Sequence, residues 1–211
     1  MSVSAATLAN QIADHILAKD TWTGRRLISV AGPPAAGKST VALALRDVLR
    51  DRGVAAALLA MDGFHMSNQM LDARGLRHRK GAPETFDLAG FVALLNRVRT
   101  GAEVLVPIFD RELDAAICAA DVISSDDNLL IVEGNYLLLD DPDWRCLNGF
   151  WDLSVFLMLE PDILEHRLLQ RWRRLGFSDA EAARKANDND LPNARLVLEN
   201  RLACDLELKS G

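Results

Sequence analysis

The segment 26–39 constrains this chain more than any other. A short apolar run, Arg26-Leu27-Ile28-Ser29-Val30-Ala31, enters the octapeptide Gly32-Pro33-Pro34-Ala35-Ala36-Gly37-Lys38-Ser39. A helix-spaced segment carrying Val41, Leu45, Val48 and Leu49 leaves it, and Gly53 closes that segment. Two glycines followed by lysine and serine, set between a buried strand and a helix, have the spacing of a phosphate-binding P-loop. Gly32 and Gly37 permit backbone conformations and close approach that a Cβ would block. The loop N–H groups can then face phosphate oxygens beside the positive end of the helix starting near Lys38. Lys38 supplies a mobile positive charge to the β- and γ-phosphates, and the Ser39 hydroxyl is expected to ligate Mg²⁺. The expected nucleotide contacts are therefore Gly32, Pro33, Pro34, Ala35, Ala36, Gly37, Lys38, Ser39 and Thr40.

The rest of the chain alternates the same two patterns. Leu8, Ile12 and Ile16 predict a helix over 4–18. Apolar runs at 54–61, 129–132 and 153–159 read as strands, and 203–208 as an edge strand. Helices are expected at 88–99, capped by Asp87, and at 161–175, 178–187 and 192–199. A short strand at 104–106 precedes Pro107. Between Asp62 and Glu84 the chain is polar, basic and without sustained period, a length that usually carries function or local structure of its own. Strands alternating with helices imply an α/β fold, a parallel sheet with helices on both faces.

A P-loop does not name a reaction. The guanine-reading pattern Asn-Lys-x-Asp is absent, and Asp87-Leu88-Ala89-Gly90, which mimics a switch motif, opens an amphipathic helix instead of following a strand. Asp62 directly follows a buried strand, so it belongs at the rim where open α/β sheets bind ligands. There it can accept a proton from an acceptor hydroxyl. Glu133 ends another strand in the same way and can hold magnesium through water or orient the acceptor. On the helix from Asp162, Arg167, Arg171 and Arg174 form one stripe beside an apolar stripe of Leu164, Leu168, Trp172 and Leu175, which suits a lid closing over phosphates. These features favour an ATP-dependent kinase of a small metabolite. The alternative is an ATP-dependent regulator in which no acceptor is used.

Composition narrows the partners. The 211 residues carry a formal charge of −6, which argues against a protein that tracks a nucleic-acid backbone. No apolar segment approaches the length needed to cross a bilayer, and Met1 to Ala18 lacks the pattern of a signal peptide. Cys118, Cys146 and Cys204 have no paired or metal-like spacing and read as small buried hydrophobes. A cytoplasmic protein is expected, organised as one domain over 1–211. Oligomeric state is left open, a homodimer included.

Five further motifs join the P-loop in carrying a family resemblance: Met61-Asp62-Gly63-Phe64-His65, the run Arg79 to Asp87, Pro107-Ile108-Phe109-Asp110-Arg111, Ile131 to Tyr136, and Asn187 to Asn193. From about Leu27 to Arg201 the chain resembles the P-loop kinases grouped with pantothenate kinase, uridine kinase and phosphoribulokinase, nearest the branch named fructose-transport-system kinases. The resemblance implies a five-stranded parallel core in the order 54–60, 129–133, 26–32, 152–159, 203–208, or 2-3-1-4-5. It implies Asp62 as catalytic base, Lys38 and Ser39 on nucleotide and metal, and Glu133 near the reacting centre and the metal. It implies lid arginines at Arg171 or Arg173 and adenine contacts near Asn193. His65, Phe109, Arg111, Asn135 and Tyr136 are expected at the acceptor, residues 63–114 as a substrate-covering insert, and 165–190 as the lid. Where pantothenate kinases place tyrosine and histidine on their substrate, this chain has Phe109 and Arg111. Gaining a guanidinium there shifts the expected acceptor towards a sugar or a phosphorylated compound, with pantothenate or a nucleoside as the alternatives.

Overall fold

The computed structural model describes residues 3–18 and 23–211. Chain order is α1 (Ala5–Leu17), β1 (Arg26–Ala31), α2 (Lys38–Asp51), β2 (Ala56–Ala60), α3 (Asn68–Ala73), α4 (Leu88–Arg99), β3 (Val104–Asp110) and β4 (Ala115–Ile123). There follow β5 (Leu129–Gly134), β6 (Leu153–Met158), α5 (Pro161–Arg174), α6 (Asp179–Lys185), α7 (Leu191–Glu199) and β7 (Leu206–Lys209). Five strands form one parallel sheet in the order β2-β5-β1-β6-β7, the arrangement the family resemblance implies.

The sheet forms because its central strands are apolar throughout. Every residue of β5 is buried, as is β1 from Leu27 onward, so both faces must be covered. Ile28, Val30, Ile131 and Val155 point to one face, under Ile12 of α1 and Leu45 of α2. Leu27, Leu130, Val132 and Phe156 point to the other, against Phe91 and Leu95 of α4 and against Trp144. A third cluster joins Leu164 and Leu168 of α5 to Ala194 of α7, with Ala35 of the P-loop packed against it. Among the described residues no helix is long and apolar enough to cross a membrane.

Three expectations are corrected, and the polar stretch has the local structure that its length implies. The polar stretch after Asp62 contains α3, whose Ser67 cap accepts from the Met70 N–H, and two short 3-10 turns. The strand at 104–106 runs on to Asp110 and pairs antiparallel with β4, an element the periodicity hides because Ala115 to Ala120 alternate no apolar with polar residues. Leu175 falls outside the apolar stripe of α5 and is exposed. Cys118 and Cys146 are also exposed, and Cys204 is half-buried. Asp87 is a cap: its carboxylate accepts from the Gly90 N–H at 2.9 Å, which accounts for the switch-like tetrapeptide.

Candidate active site

The P-loop joins β1 to α2 at the carboxyl end of the sheet. Gly37 caps α2 with φ 84°, a left-handed conformation that favours glycine. Pro33, Pro34 and Ala36 are buried, while Ser39 and Thr40 stand exposed on the first turn of α2. The Lys38 side chain is buried and its Nζ donates to the Pro33 carbonyl at 2.9 Å. Burial pushes the Lys38 ammonium down from its ordinary range; Glu133 and Asp62 pull it back up, and Arg171 and Arg111 oppose them. Five groups expected at the site from sequence thus share one electrostatic neighbourhood.

Glu133 sits near the end of β5, beside Val30 of β1 on one side and Ala60 of β2 on the other. The Ser39 hydroxyl donates to Glu133 Oε1 at 2.8 Å. Burial raises the Glu133 carboxyl above its usual range, against the pull of Lys38. A hydroxyl and a carboxylate oxygen this close form an oxygen-only donor pair, the chemistry a hard divalent cation prefers.

Asp62 lies two residues beyond β2, in a 3-10 turn (Met61–Phe64), on the same rim as the P-loop. Its carboxylate is about one-third exposed. Ser39, Asp62 and Glu133 line a single cleft of about 470 Å³, walled by Ile108, Phe109 and Arg111 of the β3–β4 hairpin. The cleft continues along β2 to Arg46 and Arg50 of α2, two residues the sequence analysis missed although their spacing of four on one helix face was readable.

Gly63 sets the depth of this cleft. A Cβ there would lie 2.7 Å from the Pro107 carbonyl oxygen, so the hairpin rests directly on the Asp62 turn. Gly63→Ala is expected to cost about 1–3 kcal/mol of stability by forcing backbone apart. Its KM for the acceptor should rise more than its KM for ATP, and steady-state kinetics with a melting curve checks both. Equal, unchanged KM values would show that the contact does not shape the cleft.

The remaining expected residues divide. Phe109 and Asn135 are half-buried, Phe109 on the cleft wall and Asn135 just past the tip of β5. His65 is held between Phe86 and Phe109, with ring centroids 4.1 and 4.7 Å away. Its Nδ1–H donates to the Asp62 carbonyl at 2.8 Å, and burial lowers its pKa, so the neutral ring buttresses the Asp62 turn. Tyr136 is a correction. Its ring is fully buried against Phe86 and Trp144, and its hydroxyl donates to the Gly81 carbonyl at 2.6 Å, so it anchors the 79–86 segment instead of lining the cleft. Arg173 pairs with Asp179 at 2.7 Å on the exposed face, while the charge of Arg171 reaches Lys38. Asn193 is buried, donates to Asn189 at 3.3 Å and leaves its Oδ1 without a partner.

The basic run 74–80 is largely neutralised within the fold. Arg77 pairs with Asp72, Arg79 with Glu84 and Lys80 with Asp114. Arg79 and the Lys80 carbonyl also bind the two ends of the Asn189 amide, joining this loop to the π-helical segment (Ala186–Asp190) between α6 and α7. No sequence period signals such long-range pairs.

Comparison with known proteins adds three findings. The sequence pattern of the Phosphoribulokinase / Uridine kinase family matches residues 27–179. Among curated proteins, the uncharacterized protein YggC of Escherichia coli K12 is 36% identical over 184 residues, 86% of this chain and 76% of that protein. The pantothenate kinase of Limosilactobacillus reuteri is 34% identical over 172 residues, 76% of this chain and 54% of that enzyme; the chain spans about half the length of the pantothenate kinases it matches. Among solved structures, a "putative fructose transport system kinase" from Silicibacter sp. TM1040 superposes with a TM-score of 0.90 at 40% identity, over 97% of this chain and 98% of that one.

Proposed function

The chain belongs to the Phosphoribulokinase / Uridine kinase family and is an ATP-dependent small-molecule kinase, and on that premise we propose that it phosphorylates a hydroxyl of a sugar-type acceptor with Asp62 as the base. One observation carries the reading: Asp62 lines the same cleft as Ser39 and Glu133, at the mouth of the phosphate cradle. An acceptor hydroxyl entering that cleft meets a partly exposed carboxylate able to take its proton as the phosphoryl group transfers. Phe109 offers a flat apolar wall and Arg111 an exposed guanidinium, a pairing that suits a polyhydroxylated or phosphorylated ring.

Lys38 and Arg171 supply positive charge on the phosphate side, where negative charge is carried in transfer. Ser39 and Glu133 would hold Mg²⁺, which when bound neutralises phosphate oxygens. Residues 63–114 act in this reading as the wall that defines the acceptor. Residues 165–190 act as a lid that excludes water and so suppresses hydrolysis. Asn193, with its unpaired amide oxygen, is the group proposed to meet the adenine.

A coupled ADP-release assay across ketoses, aldoses, sugar phosphates, pantothenate and nucleosides tests the proposal. Stimulation by a sugar or sugar phosphate supports it. Stimulation by pantothenate or a nucleoside alone would overturn the acceptor class and leave the kinase chemistry intact. If nothing stimulates turnover, a regulatory role gains ground, and it requires a partner whose affinity differs between the ATP and ADP forms.

A further inference from the structure

Two carbonyl groups of the P-loop are held from outside the loop by side chains distant in sequence. Arg167 Nη1 of α5 donates to the Ala35 carbonyl at 3.2 Å. The Ser210 hydroxyl, just past β7, donates to the Ala36 carbonyl at 2.5 Å across 174 residues of sequence. Ser210 is only 8% exposed, and its own N–H donates to the Met158 carbonyl at the end of β6 at 2.7 Å. It is therefore fixed to the sheet before it reaches the loop.

A trans peptide is planar, with its N–H directed opposite its carbonyl. Anchoring the Ala36 carbonyl outward thus turns the Gly37 N–H to the other side, the concave side where a P-loop meets phosphate. The Ala35–Ala36 peptide is locked likewise: its carbonyl accepts from Arg167, and its N–H donates to the Pro33 carbonyl at 3.2 Å. Ala35 has φ 63°, a left-handed conformation that costs a non-glycine residue and persists where its surroundings hold it.

We infer that Ser210 is a positioning residue for nucleotide binding: it aims the Gly37 N–H into the cradle, while Arg167 of α5 and the Pro33 carbonyl fix the peptide that precedes it. The inference rests on the reading that residues 32–40 hold the polyphosphate. It makes a distinction that a general structural role would not make, because only phosphate-bearing ligands should sense it.

The test compares wild type, Ser210→Ala and Arg167→Gln by calorimetric titration with ATP and, separately, with adenosine. Affinity of Ser210→Ala for ATP is expected to fall about tenfold, the scale of one misaligned donor to a charged group. Its affinity for adenosine should stay within about twofold, since no base contact changes. Should Ser210→Ala fail to fold, Arg167→Gln, on a half-buried helix position, frees the peptide preceding Gly37 and is expected to weaken ATP and spare adenosine in the same selective way, by about threefold. Equal loss for ATP and adenosine, or unchanged ATP affinity in a folded variant, would overturn the inference. Wild type that binds no ATP would instead defeat the cradle reading beneath it.

Discussion

Asp62→Asn is expected to lower kcat about 10²-fold or more while ATP affinity changes little. The asparagine keeps the size and polarity of the side chain but cannot accept a proton from the acceptor. Asp62 stands in a turn braced by the His65 ring and by Pro107 packed over Gly63, so the amide should occupy the same place. The loss should therefore fall on the chemical step. Steady-state kcat with an active acceptor, and direct ATP titration of the same preparation, measure the two quantities separately. An unchanged kcat would remove Asp62 from the mechanism; a matching loss of ATP affinity would assign it to the nucleotide.

Lys38→Met is expected to reduce kcat/KM for ATP by about 10³-fold, the largest effect of any substitution considered. Lys38 is buried beside Glu133 and Asp62, and no other cation is placed on the loop itself. Its ammonium donates to the Pro33 carbonyl of the same loop. Methionine matches the length of the chain without the charge, so packing is retained while stabilisation of the transferring group is lost. Removing the ammonium also withdraws the pull that holds the Glu133 carboxyl down, so that carboxyl should protonate at a still higher pH. Activity near wild type in this variant would mean that the loop does not grip the terminal phosphates.

Much of this arrangement could be read in the chain. The switch from an apolar run to a spacing of three and four across Gly32–Lys38 locates β1, the loop and α2 together, because strand and helix periods cannot be confused over that length. Asp62 and Glu133 were readable as rim residues because each follows an unbroken apolar run. The strand order came from family motifs and not from periodicity, which says nothing about which strands pair.

What stayed hidden depends on distance or direction. Tyr136 follows a strand whether its ring turns inward or out, and only the packed Phe86 and Trp144 decide that it turns inward. Arg173 falls off the stripe of Arg167, Arg171 and Arg174, and the turn into α6 brings Asp179 within 2.7 Å of it. Strand β4 escapes notice because alanines from Ala115 to Ala120 give no alternation between apolar and polar positions. Ser210 gave no signal at all: a serine near a strand end is ordinary until the strand is seen to finish beneath the loop.

The account centres on a carboxylate aimed at the end of a cradled triphosphate. A crystal structure with a non-hydrolysable ATP analogue and magnesium measures that relation directly. The γ-phosphorus is predicted to lie roughly 5–6 Å from the nearer Asp62 oxygen, leaving room for one hydroxyl bonded to the carboxylate and in line for attack. A γ-phosphate directed away from the cleft, more than about 10 Å from that oxygen, exceeds the reach of any direct proton transfer and would contradict it.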